Sequence, residues 1–490
     1  MGYIASIDQG TTGTRFMVFD TSGTPVANTY AKHEQIYPKR GWVEHDPVEI
    51  WERTKEVVLR GIEEADIDAS ELEAIGVTNQ RETTVVWDSD GTPVYNAVVW
   101  QDRRTTERVD ELVAEGREEE IREKTGLKPN SYFSATKLEW ILENEVRDDD
   151  REDVHAGTVD SWLIYNLTDG EAHVTDTTNA SRTMLFDIHE LNWDDELLEE
   201  FGVSRSVLPE VKPSSGEVYG HTSADGFLGA EVPVAGALGD QQAALFGQTC
   251  FEVGDAKNTY GTGSFFLTNT GGDAVKSEHG LLTTVAFQRA NEKPKYALEG
   301  SVFMTGGVVE WLQEVGMIDS VKGCEEVARS AGSSEGVYFV PAFTGLGAPY
   351  WDERASGTIV GMSRDSKNEH IVRAALESIA YQTRDVVEAM EEDGGVEIDT
   401  LRVDGGAVQN DLICELQADI VGTDIVRPVV DETTALGAAY AAGLTVGYWD
   451  SLEGLFDNRR VDRVFEAEEG ATDADYARWK KAVERARGWE

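Results

Sequence analysis

The chain has 490 residues, too many for one hydrophobic core, so two large domains are expected, and its 40% apolar share is enough to fold them. Aspartate and glutamate outnumber lysine and arginine by 92 to 43, and the resulting formal charge of -49 makes nucleic-acid backbones and anionic membranes poor partners. A surplus this large across the chain points to a surface kept hydrated in concentrated salt.

No basic stretch leads into an apolar one at the N-terminus, and no apolar run is long enough to cross a bilayer, so a soluble cytoplasmic protein is expected. Residues 3–20, YIASIDQGTTGTRFMVFD, read as the two strands of a hairpin. Its Gly/Thr turn offers backbone N–H groups and hydroxyls to an anion, with Asp8 entering and Arg15 leaving. Taken singly, such a turn is more readily a plain polar hairpin. A second hairpin precedes a helix at 46–65, with Asp46 as N-cap, Pro47 at the first position, Glu49 closing a capping box, and Trp51, Val58 and Ile62 on one face. Residues 74–88, AIGVTNQRETTVVWD, form a strand, a polar cluster and another strand. Arg81 and Glu82 lie in the cluster, either as an ion pair with each other or as donor and acceptor for a polyhydroxy compound. Trp100 closes the run AVVW as a core residue or as a platform for a carbon chain. Residues 131–144 enter a helix with Leu138, Ile141 and Leu142 inward, and Tyr132 sits in the loop before it. A helix is expected around 159–167, and an exposed loop at 222–231.

That loop leads to VAGALGDQQAALFGQ at 234–248, a strand that stops at Gly239 and opens into a small-residue helix with Asp240 at the seam. Asp240 is either a helix N-cap or an ionised acceptor at a strand end, where open α/β sheets keep their ligands. Chain organisation changes at 252–255, which divides the chain into domains 1–251 and 252–490. Residues 257–270, KNTYGTGSFFLTNT, then repeat the opening plan of strand, Gly/Thr turn and strand. Facing each other across a cleft, the two turns would clamp phosphate from both sides, with Phe265 pointing into that cleft or into the core. Gly306, Gly307 and Glu310 begin a helix that includes Val309 and Trp311. A long structural helix spans 365–392, with Ile371, Leu376, Ile379, Val386 and Met390 on one face. In LRVDGGAVQN, 401–410, a strand ends in a glycine pair and a helix opens at Asn410, where a flat ring could lie and a helix N-terminus could face phosphate. Cys250, Cys324 and Cys414, odd in number and widely spaced, suit packing, not a disulfide framework or a zinc site.

These motifs resemble the FGGY family of carbohydrate kinases over residues 4–447. YFSATKLEWILEN at 132–144 and GTIVGMSRDSKNEHIVRAALE at 357–377 are the most specific, while TNQRETT, GDQQAALFGQ and NTYGTGS resemble the members that phosphorylate glycerol. The resemblance implies an α/β fold of two actin-like, ribonuclease H-like domains with an ATP cleft between them. It also implies ATP-dependent phosphorylation of glycerol to sn-glycerol 3-phosphate, the first step of glycerol catabolism, by a homodimer or homotetramer. Carried over by position, it assigns glycerol to Arg81, Glu82, Trp100, Tyr132, Asp240, Gln241 and Phe265, with Asp240 as general base. ATP falls to Thr11, Thr12, Gly13, Arg15, Thr262, Gly306, Glu310, Gly406 and Asn410, and Mg2+ to Asp8 and, through water, Asp240. The sequence departs from the family pattern at Gly13, where serine is frequent, and at Glu310, where glutamine is frequent and a carboxylate cannot donate. Glu231 and Gly226 stand where regulated members carry an arginine and a phosphorylated histidine, so neither control by fructose 1,6-bisphosphate nor histidine phosphorylation is expected, although His221 is near.

Two other readings stay open: another polyol or ketose kinase, and an actin-like ATPase with no small acceptor. Trp100 and Phe265 narrow the pocket against the first, and the set Arg81, Glu82 and Asp240 has no purpose in the second. Because the net charge repels ATP, the cleft itself is expected to be locally less negative.

Overall fold

In the computed structural model, which describes residues 2–467 and 473–489, the chain builds one sheet plan twice. The first sheet contains β1 (Tyr3–Gln9), β2 (Gly13–Phe19), β3 (Pro25–Lys32), β4 (Leu72–Asn79), β5 (Ser215–His221) and β6 (Pro233–Gly239). Its spatial order is β5-β6-β4-β1-β2-β3. The second contains β7 (Ala256–Tyr260), β8 (Ser264–Gly271), β9 (Leu282–Phe287), β10 (Lys295–Val302), β11 (Thr400–Gly405), β12 (Asp424–Pro428) and β13 (Val461–Phe465), in the order β9-β10-β8-β7-β11-β12-β13. Three antiparallel strands in the first sheet, and four in the second, lead to two parallel ones and a final antiparallel edge, so that β1 corresponds to β7, β2 to β8, β4 to β11 and β6 to β12. Both Gly/Thr turns therefore lie at the same point of their sheets. Sheet ends of this kind are where α/β folds gather ligands.

The helices follow the apolar patterns with small shifts. Helix α1 (Pro47–Ala65) is capped by Asp46, which accepts the Val48 N–H at 2.8 Å. The expected capping box does not close, because the Glu49 carboxylate accepts the Glu34 N–H at 2.9 Å and pairs with Arg53. In α2 (Ser134–Asn144), Leu138, Ile141 and Leu142 are buried as the spacing predicts. The loop at 222–231 is less exposed than expected, since Leu228 is buried and Phe227 packs edge-on against Trp51 of α1. Residues 240–247 form α3 (Asp240–Gly247), and Gly306 opens α4 (Gly306–Glu314). Helix α5 (Asn368–Gly394) starts later than residue 365, because a turn donated by Ser366 N–H to the Ser363 carbonyl precedes it. Asn410 caps α6 (Asp411–Gln417), and α7 (Thr433–Val446) follows β12. All three cysteines are buried and unpaired, and burial pushes their thiols up to about 11, 12 and 12 in chain order.

Helix α7 belongs to the second half by sequence but packs on the first sheet, while α3 runs from the first sheet onto β7, β8 and β9. The two helices cross backbone to backbone. A Cβ on Gly437 would lie 1.8 Å from the Ala243 carbonyl oxygen, and one on Gly247 would lie 2.0 Å from that of Thr433. Gly76 of β4 and Gly236 of β6 make the same allowance for α7. Replacing Gly437 by alanine is therefore expected to lower unfolding stability by about 1–3 kcal/mol through overpacking, despite alanine's better helix propensity. Urea unfolding checks this, and a Gly437→Ala protein at least as stable as the wild type would contradict the close crossing.

Candidate active site

The β1–β2 turn is closed by the Gly10 N–H donating to the Gly13 carbonyl at 2.9 Å, and the β7–β8 turn by Gly261 N–H donating to the Gly263 carbonyl at 2.8 Å. The start of α4 braces the second turn. Thr305 and Gly307 donate to the Thr262 carbonyl at 2.8 and 3.0 Å, and Gly306 donates to that of Gly261 at 3.1 Å. A Cβ on Gly306 would lie 2.4 Å from the Gly261 oxygen and 3.9 Å from the Ala407 Cβ, which brings the 405–407 segment alongside. Gly405 sits at φ +93, where a side chain would meet the Tyr260 carbonyl at 2.2 Å, whereas a Cβ on Gly406 would meet nothing within 4 Å. Thr262, Gly306 and Gly406 thus converge from three strand ends. Glu310 is exposed one turn into α4, and the Asn410 carboxamide oxygen accepts the Ile413 N–H at 3.3 Å.

In the first turn, Thr11 Oγ1 accepts from Trp100 Nε1 at 3.0 Å, and Thr12 Oγ1 lies 3.1 Å from the Tyr30 hydroxyl. Glycine at 13 has a steric cause: a Cβ there would fall 2.4 Å from the Ala31 carbonyl oxygen and 2.5 Å from the Tyr30 hydroxyl. Arg15 is already engaged, donating to Asn28 Oδ1 at 2.8 Å and pairing with Glu432 Oε1 at 2.8 Å across the two halves.

Asp240 is the first residue of α3 and Gly239 takes the cap position, so of the two readings of Asp240 the helix N-cap does not hold. Asp240 Oδ1 accepts the Gln241 N–H at 2.7 Å and stands 3.2 Å from Arg81 Nε. Behind it lies a buried quartet. Arg81 donates to Glu299 at 2.5 and 3.1 Å, and Arg182 donates to Glu82 at 2.8 Å and to Glu299 at 3.0 Å. The expected direct pairing of Arg81 with Glu82 is the long contact of the set, at 4.0 Å. Glu82 is held at φ +64, a conformation that costs a non-glycine residue energy and is typical of functional sites. Trp100 and Tyr132 meet edge to face with ring centroids 5.5 Å apart, and the Arg81 guanidinium lies 5.8 Å from the Phe265 centroid. Arg81, Glu82, Trp100, Tyr132, Asp240 and Phe265 are thereby brought together. Gln241 instead turns to Lys257 Nζ, which also donates to Thr259 Oγ1 at 2.9 Å and to the Phe265 carbonyl at 3.3 Å.

Burial sets most of the electrostatics. It raises the Asp240 carboxyl above its ordinary value against the opposing pull of Arg81, Lys257 and the Gln241 N–H. Burial would also raise Glu299, but Arg182 and Arg81 hold it down to about 2. Lys257 is pushed down to about 8 by burial, with Asp404 opposing. Burial and then Glu432 push Asp8 up to about 7, with Arg15 opposing and Asp240 adding. The expectation of a less negative cleft is not met. Asp8, Asp240, Asp404 and Glu432 face Arg15 and Lys257, while Arg81 and Arg182 are neutralised by Glu82 and Glu299.

Sequence reasoning missed Arg182, Lys257 and Glu299. A charged residue inside an otherwise apolar strand, as in KYALEGSV of β10, was the available signal. Among the described residues, no group of three or more His, Cys, Asp or Glu side chains could hold a metal ion by itself, and no helix is long and apolar enough to cross a membrane.

Residues 3–247 match the N-terminal domain of the FGGY family of carbohydrate kinases, and residues 256–446 match the C-terminal domain. The chain is 66% identical to a glycerol kinase of Haloquadratum walsbyi, covering 99% of the chain and 98% of that protein. It is 64% identical to one of Haloarcula marismortui with the same coverage. The crystal structure of Plasmodium falciparum glycerol kinase with ADP superposes with a TM-score of 0.94 at 40% identity, covering 99% of this chain and 98% of that one.

Proposed function

The chain belongs to the FGGY family of carbohydrate kinases, and from that premise we propose that it transfers the γ-phosphoryl group of ATP to a primary hydroxyl of glycerol, giving sn-glycerol 3-phosphate and ADP. The observation that carries this reading is Asp240. Its side chain, 29% exposed, forms the open end of a charge-balanced buried quartet, beside Trp100, Tyr132 and Phe265. An ATPase that only changes shape has no use for such a cluster.

In the proposed reaction, the Arg81 guanidinium and the Glu82 carboxylate hold the glycerol hydroxyls, and the aromatic rings cover its carbon chain. Asp240 takes the proton of the attacking hydroxyl, and its burial-raised pKa makes it a stronger base than a solvated aspartate. A bond forms from that oxygen to the γ-phosphorus while the bond to the β–γ bridging oxygen breaks, and ADP leaves with the electron pair. Such transfer has a loose transition state, so positioning and charge neutralisation do most of the work. Thr11, Thr12, Gly13, Arg15 and Thr262 serve the phosphates; Gly306, Glu310, Gly406 and Asn410 line the nucleoside side. Closure of the cleft keeps water, the competing acceptor, away.

The donor chemistry fits Mg2+. Asp8 and Asp240 are oxygen donors that electrostatically disfavour each other, and a hard cation bound through one or two carboxylates, phosphate oxygens and water suits such a pair. When bound, it would neutralise phosphate charge in a cleft that is otherwise acidic.

The composition and the high identity to proteins of Haloquadratum walsbyi and Haloarcula marismortui support a cytoplasmic enzyme adapted to high salt. The test is product identification by phosphorus NMR after incubation with Mg·ATP and glycerol, xylulose or gluconate, from low to molar KCl. Phosphate is expected on glycerol alone, at a rate that rises with salt. Equal phosphorylation of the sugars would contradict the assigned acceptor, and inactivation by salt would contradict the saline setting.

A further inference from the structure

We propose that Glu432 is a rival anion for Arg15: its carboxylate and the terminal phosphates of the nucleotide compete for the same guanidinium, and phosphate displaces the carboxylate on binding. The proposal rests on the reading of Arg15 as a phosphate contact. Arg15 lies on β2 in the first half, and Glu432 occupies the cap position of α7 from the second half. A carboxylate at a helix N-terminus ordinarily accepts the orphan backbone N–H groups there. Glu432 makes no such cap bond, and its Oε1 reaches 2.8 Å from Arg15 NH2 instead.

The surroundings favour exchange over a fixed structural pair. Asp431 and Asp404 crowd Glu432 with like charge, and Arg15 is the cation that opposes them. Arg15 NH1 is fixed separately by Asn28 at 2.8 Å, so the guanidinium keeps its position when NH2 changes partner. The side chains of Arg15 and Glu432 remain 23% and 35% exposed, and pairs of that kind are weak and replaceable. A phosphate brings more charge and two oxygens to the same fork. Glu432 thereby supplies a counter-ion that leaves Arg15 only when a stronger anion arrives.

The test is calorimetric titration of the intact protein with Mg·AMP-PNP at fixed KCl, with adenosine as the control ligand lacking phosphate. Glu432→Gln is expected to tighten AMP-PNP binding about two- to fivefold, the range of a partly exposed ion pair, and to leave adenosine binding unchanged. Glu432→Asp, which keeps the charge but shortens the reach, is expected to tighten it as well. In an Arg15→Gln background neither change should alter affinity. Unchanged or weaker binding in Glu432→Gln would overturn the proposal, as would equal tightening with and without Arg15. Arg15→Gln with wild-type affinity would overturn the prior reading of Arg15 as a phosphate contact, a failure distinct from that of the competition.

Discussion

Asp240→Asn is expected to reduce kcat for glycerol phosphorylation by about 100- to 10,000-fold, the usual contribution of a general base, while leaving the fold intact and weakening Mg·ATP binding far less, since Asp8 remains to hold the metal. Asparagine keeps the shape of the side chain and an oxygen that can still accept the Gln241 N–H and stand beside Arg81 Nε. What it loses is the ability to take a proton. Because the side chain is the open end of the cluster and not one of its buried members, the substitution strands no charge in the core. Coupled measurement of ADP release, with calorimetric titration and thermal unfolding as controls, checks all three expectations. A rate within tenfold of the wild type, in a protein that still binds both substrates, would remove Asp240 from the role of base.

The second large effect concerns stability. Glu299→Gln leaves Glu82 as the one buried carboxylate between Arg81 and Arg182, with all three side chains at most 2% exposed, and the partly exposed Asp240 as the remaining partner of Arg81. Breaking a buried ion network from one side typically costs about 3–5 kcal/mol, and a loss of that order is expected in urea unfolding at pH 7. The pH dependence follows from the depressed folded-state pKa of Glu299, about 2 against an ordinary 4.5. That difference contributes stability fully present above pH 4.5 and lost as the pH falls toward 2. The gap between wild type and variant should therefore be widest near neutrality and shrink below pH 4.5; a gap independent of pH would contradict this account of the quartet. Since Arg81 is oriented by Glu299, the KM for glycerol is also expected to rise.

The parts of this fold that a sequence can display are those written in local pattern. The Gly/Thr turns at 10–13 and 261–263 and the strand-to-helix seam at 239–240 were legible because turn chemistry and apolar runs sit side by side in the chain. Glu299, Arg182 and Lys257 were not, because each acts by contact with residues remote in sequence: 218 positions separate Arg81 from Glu299. Glu49 shows the same limit on a smaller scale. Its capping-box spacing was right, but a tertiary partner, the Glu34 N–H, took the carboxylate. The mutual crossing of α3 and α7 was likewise invisible, since glycines at 247 and 437 look like ordinary small residues until the two backbones meet. Arg15 was legible as a cation beside a Gly/Thr turn, but its partner Glu432 was not, being supplied by the other half of the chain.

The proposed role of the Arg81, Glu82 and Asp240 cluster is to present glycerol as the acceptor of the ATP γ-phosphoryl group. Its most direct test is the rate of ADP formation by the wild-type protein from Mg·ATP, measured with and without glycerol in molar KCl. A saturable dependence on glycerol is expected, with turnover close to background when glycerol is omitted. ADP release that is the same with and without glycerol would contradict it and leave an ATPase with no small-molecule acceptor.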